Sequence, residues 1–81
     1  RYSLPAQKLK AEGLLPGVPD LFLPAARGGY HGLYLEMKYG KNKPSPEQDH
    51  FIGYVQRAGY QAVICYSAEE AITALENYLG F

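Results

Sequence analysis

Two acidic residues and a lysine have the types and spacing that hydrolysis of a phosphodiester requires. Glu36 and Lys38 lie two residues apart in an apolar segment, and Asp20 follows a proline earlier in the chain. Neighbouring carboxylates repel each other unless a cation or a proton lies between them. Oxygen ligands suit Mg²⁺ or Mn²⁺, and the backbone carbonyl of Met37 is a further candidate ligand. Such a cation would polarise the phosphate and activate a bound water, while Lys38 orients that water and offsets developing negative charge.

Strands and helices must position these groups. The pattern of apolar residues predicts an α/β domain with a mixed sheet. It indicates two short strands joined by a glycine-containing loop, then a helix, a nearly all-apolar strand covered on both faces, and an amphipathic helix. The last strand is expected to run parallel to the preceding one through a right-handed crossover. The predicted elements are a helix at 4–12, strands at 20–23 and 30–38, a hairpin loop at 25–29, a helix at 46–58, a strand at 60–66 and a helix from 68 to about 79.

The hairpin brings the three chemical groups together. Side chains alternate along a strand, so Glu36 and Lys38 share the face opposite the leucines of the second strand. A loop over residues 25–29 sets Asp20 opposite Tyr34, one diagonal step from Glu36, which is roughly 7–8 Å at the backbone. A register change of two residues would keep both acids on one face, whereas a slip of one residue would separate them.

A helix start follows the second strand. Ser45 and Pro46 suit the cap and the first helical position, and Gln48 stands where a capping-box partner reaches back to Ser45. The backbone donors of that helix start, at Ser45, are candidates to bind a phosphate. Lys41 and Lys43 precede it, either as phosphate contacts or as ordinary solvated loop lysines.

Six motifs follow one another along the chain: Gln7-Lys8-Leu9-Lys10-Ala11-Glu12-Gly13, Gly17-Val18-Pro19-Asp20-Leu21, Glu36-Met37-Lys38, Gly40-Lys41, Ser45-Pro46-Glu47-Gln48 and Ala58-Gly59-Tyr60. In this order and spacing they resemble one known family over about residues 3–75. The resemblance is to the virus-type replication-repair nuclease (VRR-NUC) domain, a member of the restriction-endonuclease-like PD-(D/E)xK superfamily. It implies a mixed sheet flanked by helices and a nuclease that uses Mg²⁺ or Mn²⁺. Asp20 and Glu36 would be metal ligands, Lys38 the catalytic lysine and Gln48 a supporting active-site residue.

The resemblance also carries expectations about substrate and assembly. Stand-alone phage members of this family commonly form dimers and are linked to structured DNA such as junctions. We therefore expect a structure-selective DNA endonuclease of phage or bacterial origin that acts as a homodimer in the cytoplasm. The family usually has a helix with an acidic residue, and then a strand, before the stretch that opens this sequence. The core is accordingly expected to lack its first helix and strand.

Composition limits the alternatives. The 81 residues allow one domain, 1–81, and 47% apolar content is typical of a globular chain with no membrane segment. Net charge is zero, yet residues 1–43 carry seven basic against three acidic residues, and residues 44–81 carry one against five. A phosphate backbone responds to such a local basic face. The remaining alternatives are a catalytically inactive nucleic-acid-binding module and an assembly domain with the same fold.

Overall fold

The computed structural model describes residues 17–81, so the helix predicted at 4–12 lies outside the described residues. The described chain forms three strands and two helices, in the order predicted from residue 20 onward. The elements are β1 (Leu21–Leu23), β2 (Leu33–Met37), α1 (Pro46–Arg57), β3 (Gln61–Cys65) and α2 (Ala68–Leu79).

The three strands form one mixed sheet in the order β1-β2-β3. β1 pairs antiparallel with β2, and β3 pairs parallel with β2, so the mixed sheet predicted from the sequence is confirmed. The parallel pairing requires a crossover, which α1 supplies. Residues 17–81 contain no helix that is both long and apolar enough to cross a bilayer.

The predicted register of the hairpin is wrong by two residues. Leu21 pairs with Leu35, and extending this ladder by one residue sets Asp20 opposite Glu36, not opposite Tyr34. The first strand ends at Leu23 as predicted, but the second begins at Leu33 and not at residue 30, because Pro24 has no backbone N–H to continue the ladder. The shift is an even number of residues, so Asp20 stays on the face predicted for it.

A separate small turn closes the hairpin. Arg27 and Tyr30 form an isolated antiparallel bridge, with both backbone N···O distances between 2.8 and 3.1 Å. The two residues between them are Gly28 and Gly29, which have φ angles of 57° and 87°. Two consecutive positive φ angles are typical of the tight hairpin turns that favour glycine.

The two helices pack separately on the sheet. α1 covers the face that carries Tyr34, whose ring centroid lies 5.5 Å from that of Phe51. α2 packs against β2 and β3 and makes no contact with α1 within the described chain. The hydroxyl of Tyr78 on α2 donates to the carbonyl of Ala25 at 2.6 Å, which ties the helix to the hairpin loop. The core consists of Leu33, Leu35, Val55, Cys65 and Tyr78.

β3 is less covered than its apolar sequence predicts. Gln61–Ile64 are half-buried, and only Cys65 at the end of the strand is buried. Both helices contact β3, as expected for a strand covered on both faces, but the cover is incomplete because β3 lies at the edge of the sheet formed by residues 17–81.

Candidate active site

Asp20 immediately precedes the first residue of β1, and its side chain completes the hydrogen bonding of β2. Its Oδ2 accepts a hydrogen bond of 3.0 Å from the backbone N–H of Met37, the last residue of β2. The carboxylate thus takes the place of the next ladder carbonyl, while the residue as a whole remains exposed. Asp20 is therefore held beside the end of β2 and still accessible to solvent.

Glu36 is the buried acidic group of the site, with only 4% of its surface exposed. Its Oε2 accepts a hydrogen bond of 2.7 Å from the side-chain amide of Gln48 and lies 3.3 Å from Nζ of Lys38. Its Oε1 is buried and has no hydrogen-bond partner among the described residues. An unsatisfied buried acceptor costs roughly 1–3 kcal/mol, and more when it carries charge. This oxygen is therefore the candidate position for a cation ligand at the site.

Gln48 joins the start of α1 to the acid on β2. Its Oε1 accepts from the backbone N–H of Ser45 at 2.9 Å, and its backbone N–H donates to the Ser45 hydroxyl at 3.1 Å. The capping box predicted from the sequence is confirmed. Because the side-chain amide oxygen of Gln48 serves the cap, the nitrogen of the same amide is oriented toward Glu36. Gln48 thus caps α1 and supports the acid of the candidate site at the same time.

Lys38 continues the line of β2 past its last strand residue. Its backbone N–H donates to the carbonyl of Cys65 at 2.9 Å, so the chain stays extended there. Side chains two residues apart on an extended chain project to one face, which explains why Lys38 reaches Glu36. The lysine side chain is 18% exposed and retains access to solvent.

Gly17 positions the loop that carries Asp20, a role that the sequence analysis missed. Its φ is 87°, and a Cβ added there would overlap the backbone carbonyl of Glu47 and approach the Gln48 nitrogen to 3.1 Å. The loop backbone therefore lies directly against the first turn of α1. The Gly17-Val18-Pro19-Asp20 motif contained this glycine, but a glycine in a turn-rich segment usually indicates only a turn and not a close backbone contact.

The predicted phosphate contacts lie at the same end of the sheet. Lys41 and Lys43 are exposed in the loop between β2 and α1. The hydroxyl of Ser45 is engaged in the helix cap, so any phosphate donor at this position would be a backbone N–H of the first turn.

The available oxygen ligands suit a hard cation that keeps water molecules in part of its coordination sphere. Residues 17–81 contain no group of three or more His, Cys, Asp and Glu side chains arranged around a common point. Two carboxylates remain, from Asp20 and Glu36. The N–H and C=O of an extended residue project to the same strand edge, so the Met37 carbonyl is directed to the side where Asp20 lies. Mg²⁺ in particular keeps several waters and accepts one or two carboxylates.

The fold and the site geometry define a small α/β domain in which a three-stranded mixed sheet and the start of a helix bring two acidic residues and a lysine together. The sequence matches the VRR-NUC domain family over residues 3–69. A solved structure described as a VRR_NUC domain protein is 35% identical, with a TM-score of 0.80 over 94% of this chain. The chain belongs to the VRR-NUC family, which in general comprises nuclease domains. The predicted family and fold class are confirmed.

The match to the solved structure does not extend over that whole protein. This chain spans 63% of the length of the structural relative. No match was found among curated proteins.

Proposed function

We propose that this domain hydrolyses DNA phosphodiester bonds with the help of Mg²⁺ or Mn²⁺. One observation carries the proposal: Glu36 is buried, its Oε2 is held by Gln48 and Lys38, and its Oε1 has no partner among the described residues. A purely structural acid would be expected to use both oxygens in hydrogen bonds.

The residues at the end of β2 would divide the chemistry between them. Glu36 Oε1, the Asp20 carboxylate and the Met37 carbonyl would hold the cation, which supplies charge to polarise the phosphate and to activate a bound water. Gln48 keeps Glu36 oriented by binding its other oxygen. Lys38, already 3.3 Å from that carboxylate, can donate a hydrogen bond to the attacking water and offset negative charge on the phosphate.

DNA is the substrate that the charge distribution supports. Lys41 and Lys43 lie exposed in the loop next to the site, and the start of α1 offers backbone donors nearby. We propose an endonuclease selective for branched DNA, of phage or bacterial origin, that acts as a homodimer.

The test combines cleavage with a direct measurement of metal binding. Linear, flapped and four-way DNA are incubated with the protein in Mg²⁺, Mn²⁺ or chelator, and Mn²⁺ binding is followed by calorimetry. Glu36→Gln should abolish cleavage and weaken Mn²⁺ binding at least tenfold, because the amide keeps the shape but loses the charge. Glu76→Gln, an exposed position on α2, is the matched control and should change neither.

Two results would contradict the proposal. The first is unchanged Mn²⁺ affinity in Glu36→Gln. The second is DNA binding that is insensitive to chelator together with no cleavage in either metal, which would support the catalytically inactive nucleic-acid-binding module.

A further inference from the structure

The outer edge of β3, which pairs with no other strand of residues 17–81, has the character of an interaction surface. The strand lies at the edge of the three-stranded sheet and contains no charged residue. Edge strands are usually protected against pairing by lysine, proline or a bulge. The segment Gln61–Cys65 contains none of these and remains half-buried along most of its length.

The direction of the backbone groups defines what this edge can bind. The Gln61 N–H donates to Gly32, and the Cys65 carbonyl accepts from Lys38, so these residues face β2. Because backbone direction alternates along a strand, Ala62 and Ile64 present their N–H and C=O groups to the outer edge. In an antiparallel pair of two such strands, the outward backbone groups of Ala62 in one strand lie opposite those of Ile64 in the other.

Charge along the edge favours the same partner. On the α2 side, the groove beside Gln61 contains Arg27, and the groove beside Cys65 contains Glu69 and Glu70. Antiparallel pairing of two copies brings the basic end of each edge to the acidic end of the other. The strand is thus complementary to itself in both backbone pattern and charge.

We propose that β3 pairs with β3 of a second copy of this chain, antiparallel and with the two-fold axis at Val63. Ala62 of each copy then exchanges both backbone hydrogen bonds with Ile64 of the other, and the two Val63 residues face each other. The result is a continuous six-stranded sheet with α2 of both copies on one side. Such an isologous contact closes as a dimer.

This inference specifies the surface for the homodimer included in the proposed function, and it is tested without any cleavage. Val63→Cys is prepared in a Cys65→Ala background and exposed to mild oxidation. Directly opposed residues that do not share hydrogen bonds have Cα atoms about 4.5 Å apart, within the range for disulfides. Most of the protein should become a covalent dimer. Tyr54→Cys in the same background, exposed on α1 away from the edge, should form at least tenfold less.

A second variant tests the edge without a new thiol. The N–H of Ala62 is directed outward, so Ala62→Pro removes a donor from the edge and leaves the β2 ladder intact. Sedimentation equilibrium should show a dimer for the unchanged chain and a monomer for Ala62→Pro, with the circular dichroism spectrum retained.

The inference is overturned if the unchanged chain is a monomer at high micromolar concentration, as expected if residues 1–16 or another protein cover this edge. It is also overturned if Val63→Cys forms no more covalent dimer than Tyr54→Cys. Neither result bears on whether the site at Glu36 binds Mn²⁺ and supports cleavage, so the failure of this inference and the failure of the metal-dependent nuclease are distinguishable.

Discussion

Replacing Gly17 with alanine tests whether the loop that carries Asp20 rests on the start of α1. Two effects would act together at this position. The φ of 87° is unfavourable for a residue with a Cβ, and that Cβ would overlap the backbone carbonyl of Glu47. Backbone atoms at a helix start cannot rotate away as a flexible side chain can, so either the loop or the first turn must move.

Gly29 offers a matched control for the backbone effect. It has the same φ of 87°, but a Cβ there meets nothing within 4 Å. Forcing a left-handed conformation on alanine costs about 1–2 kcal/mol, which is the loss expected for Gly29→Ala. Overpacking adds about 1–3 kcal/mol, so Gly17→Ala should lose about 2–5 kcal/mol.

Urea unfolding at low temperature, followed by circular dichroism, gives the difference between the two variants. Gly17→Ala should also reduce Mn²⁺ affinity and cleavage under conditions where it is fully folded, because Asp20 and Gln48 both lie next to the displaced contact. Equal losses of stability in the two variants would refute the contact between Gly17 and α1. Normal Mn²⁺ affinity in folded Gly17→Ala would refute its positioning role.

Three further outcomes concern residues that are not members of the candidate site. Tyr78→Phe removes the hydroxyl that donates to Ala25 and leaves that carbonyl without this donor, so the free energy of unfolding should fall by about 1–2 kcal/mol in urea titrations; no loss would show that α2 does not tether the hairpin loop. Burial, with a smaller contribution from the charge of Glu70, raises the pKa of the Cys65 thiol, so the folded state keeps its proton to higher pH than the unfolded chain. Stability should therefore decline as the pH rises above the ordinary thiol value of 9.0, and Cys65→Ala should lessen that slope, whereas an identical slope would contradict it. The phenol of Tyr34, whose pKa burial also raises, should add a decline above 10.0 in both proteins.

The order of the elements from residue 20 onward was predictable because it depends on local patterns. Alternation identified β2, and the helix start at Ser45 followed from the cap residues themselves. The hairpin register was not predictable from residue count. It depends on where pairing stops, and here Pro24 and the separate Arg27–Tyr30 bridge lengthen the connection. The cover over β3 depends on how many strands the sheet has, which its own sequence does not encode.

The residues of the candidate site were predictable, but the environment of Glu36 was not. Strand alternation correctly placed Glu36 and Lys38 on one face, yet that face looked solvated because both residues are charged. Burial comes from α1, whose capping amide at Gln48 reaches Glu36 across 12 positions of the chain. The helix cap and the orientation of the acid are therefore one structural feature, since the same amide group serves both. Any change that loosens the start of α1 should consequently disturb the acid on β2 as well.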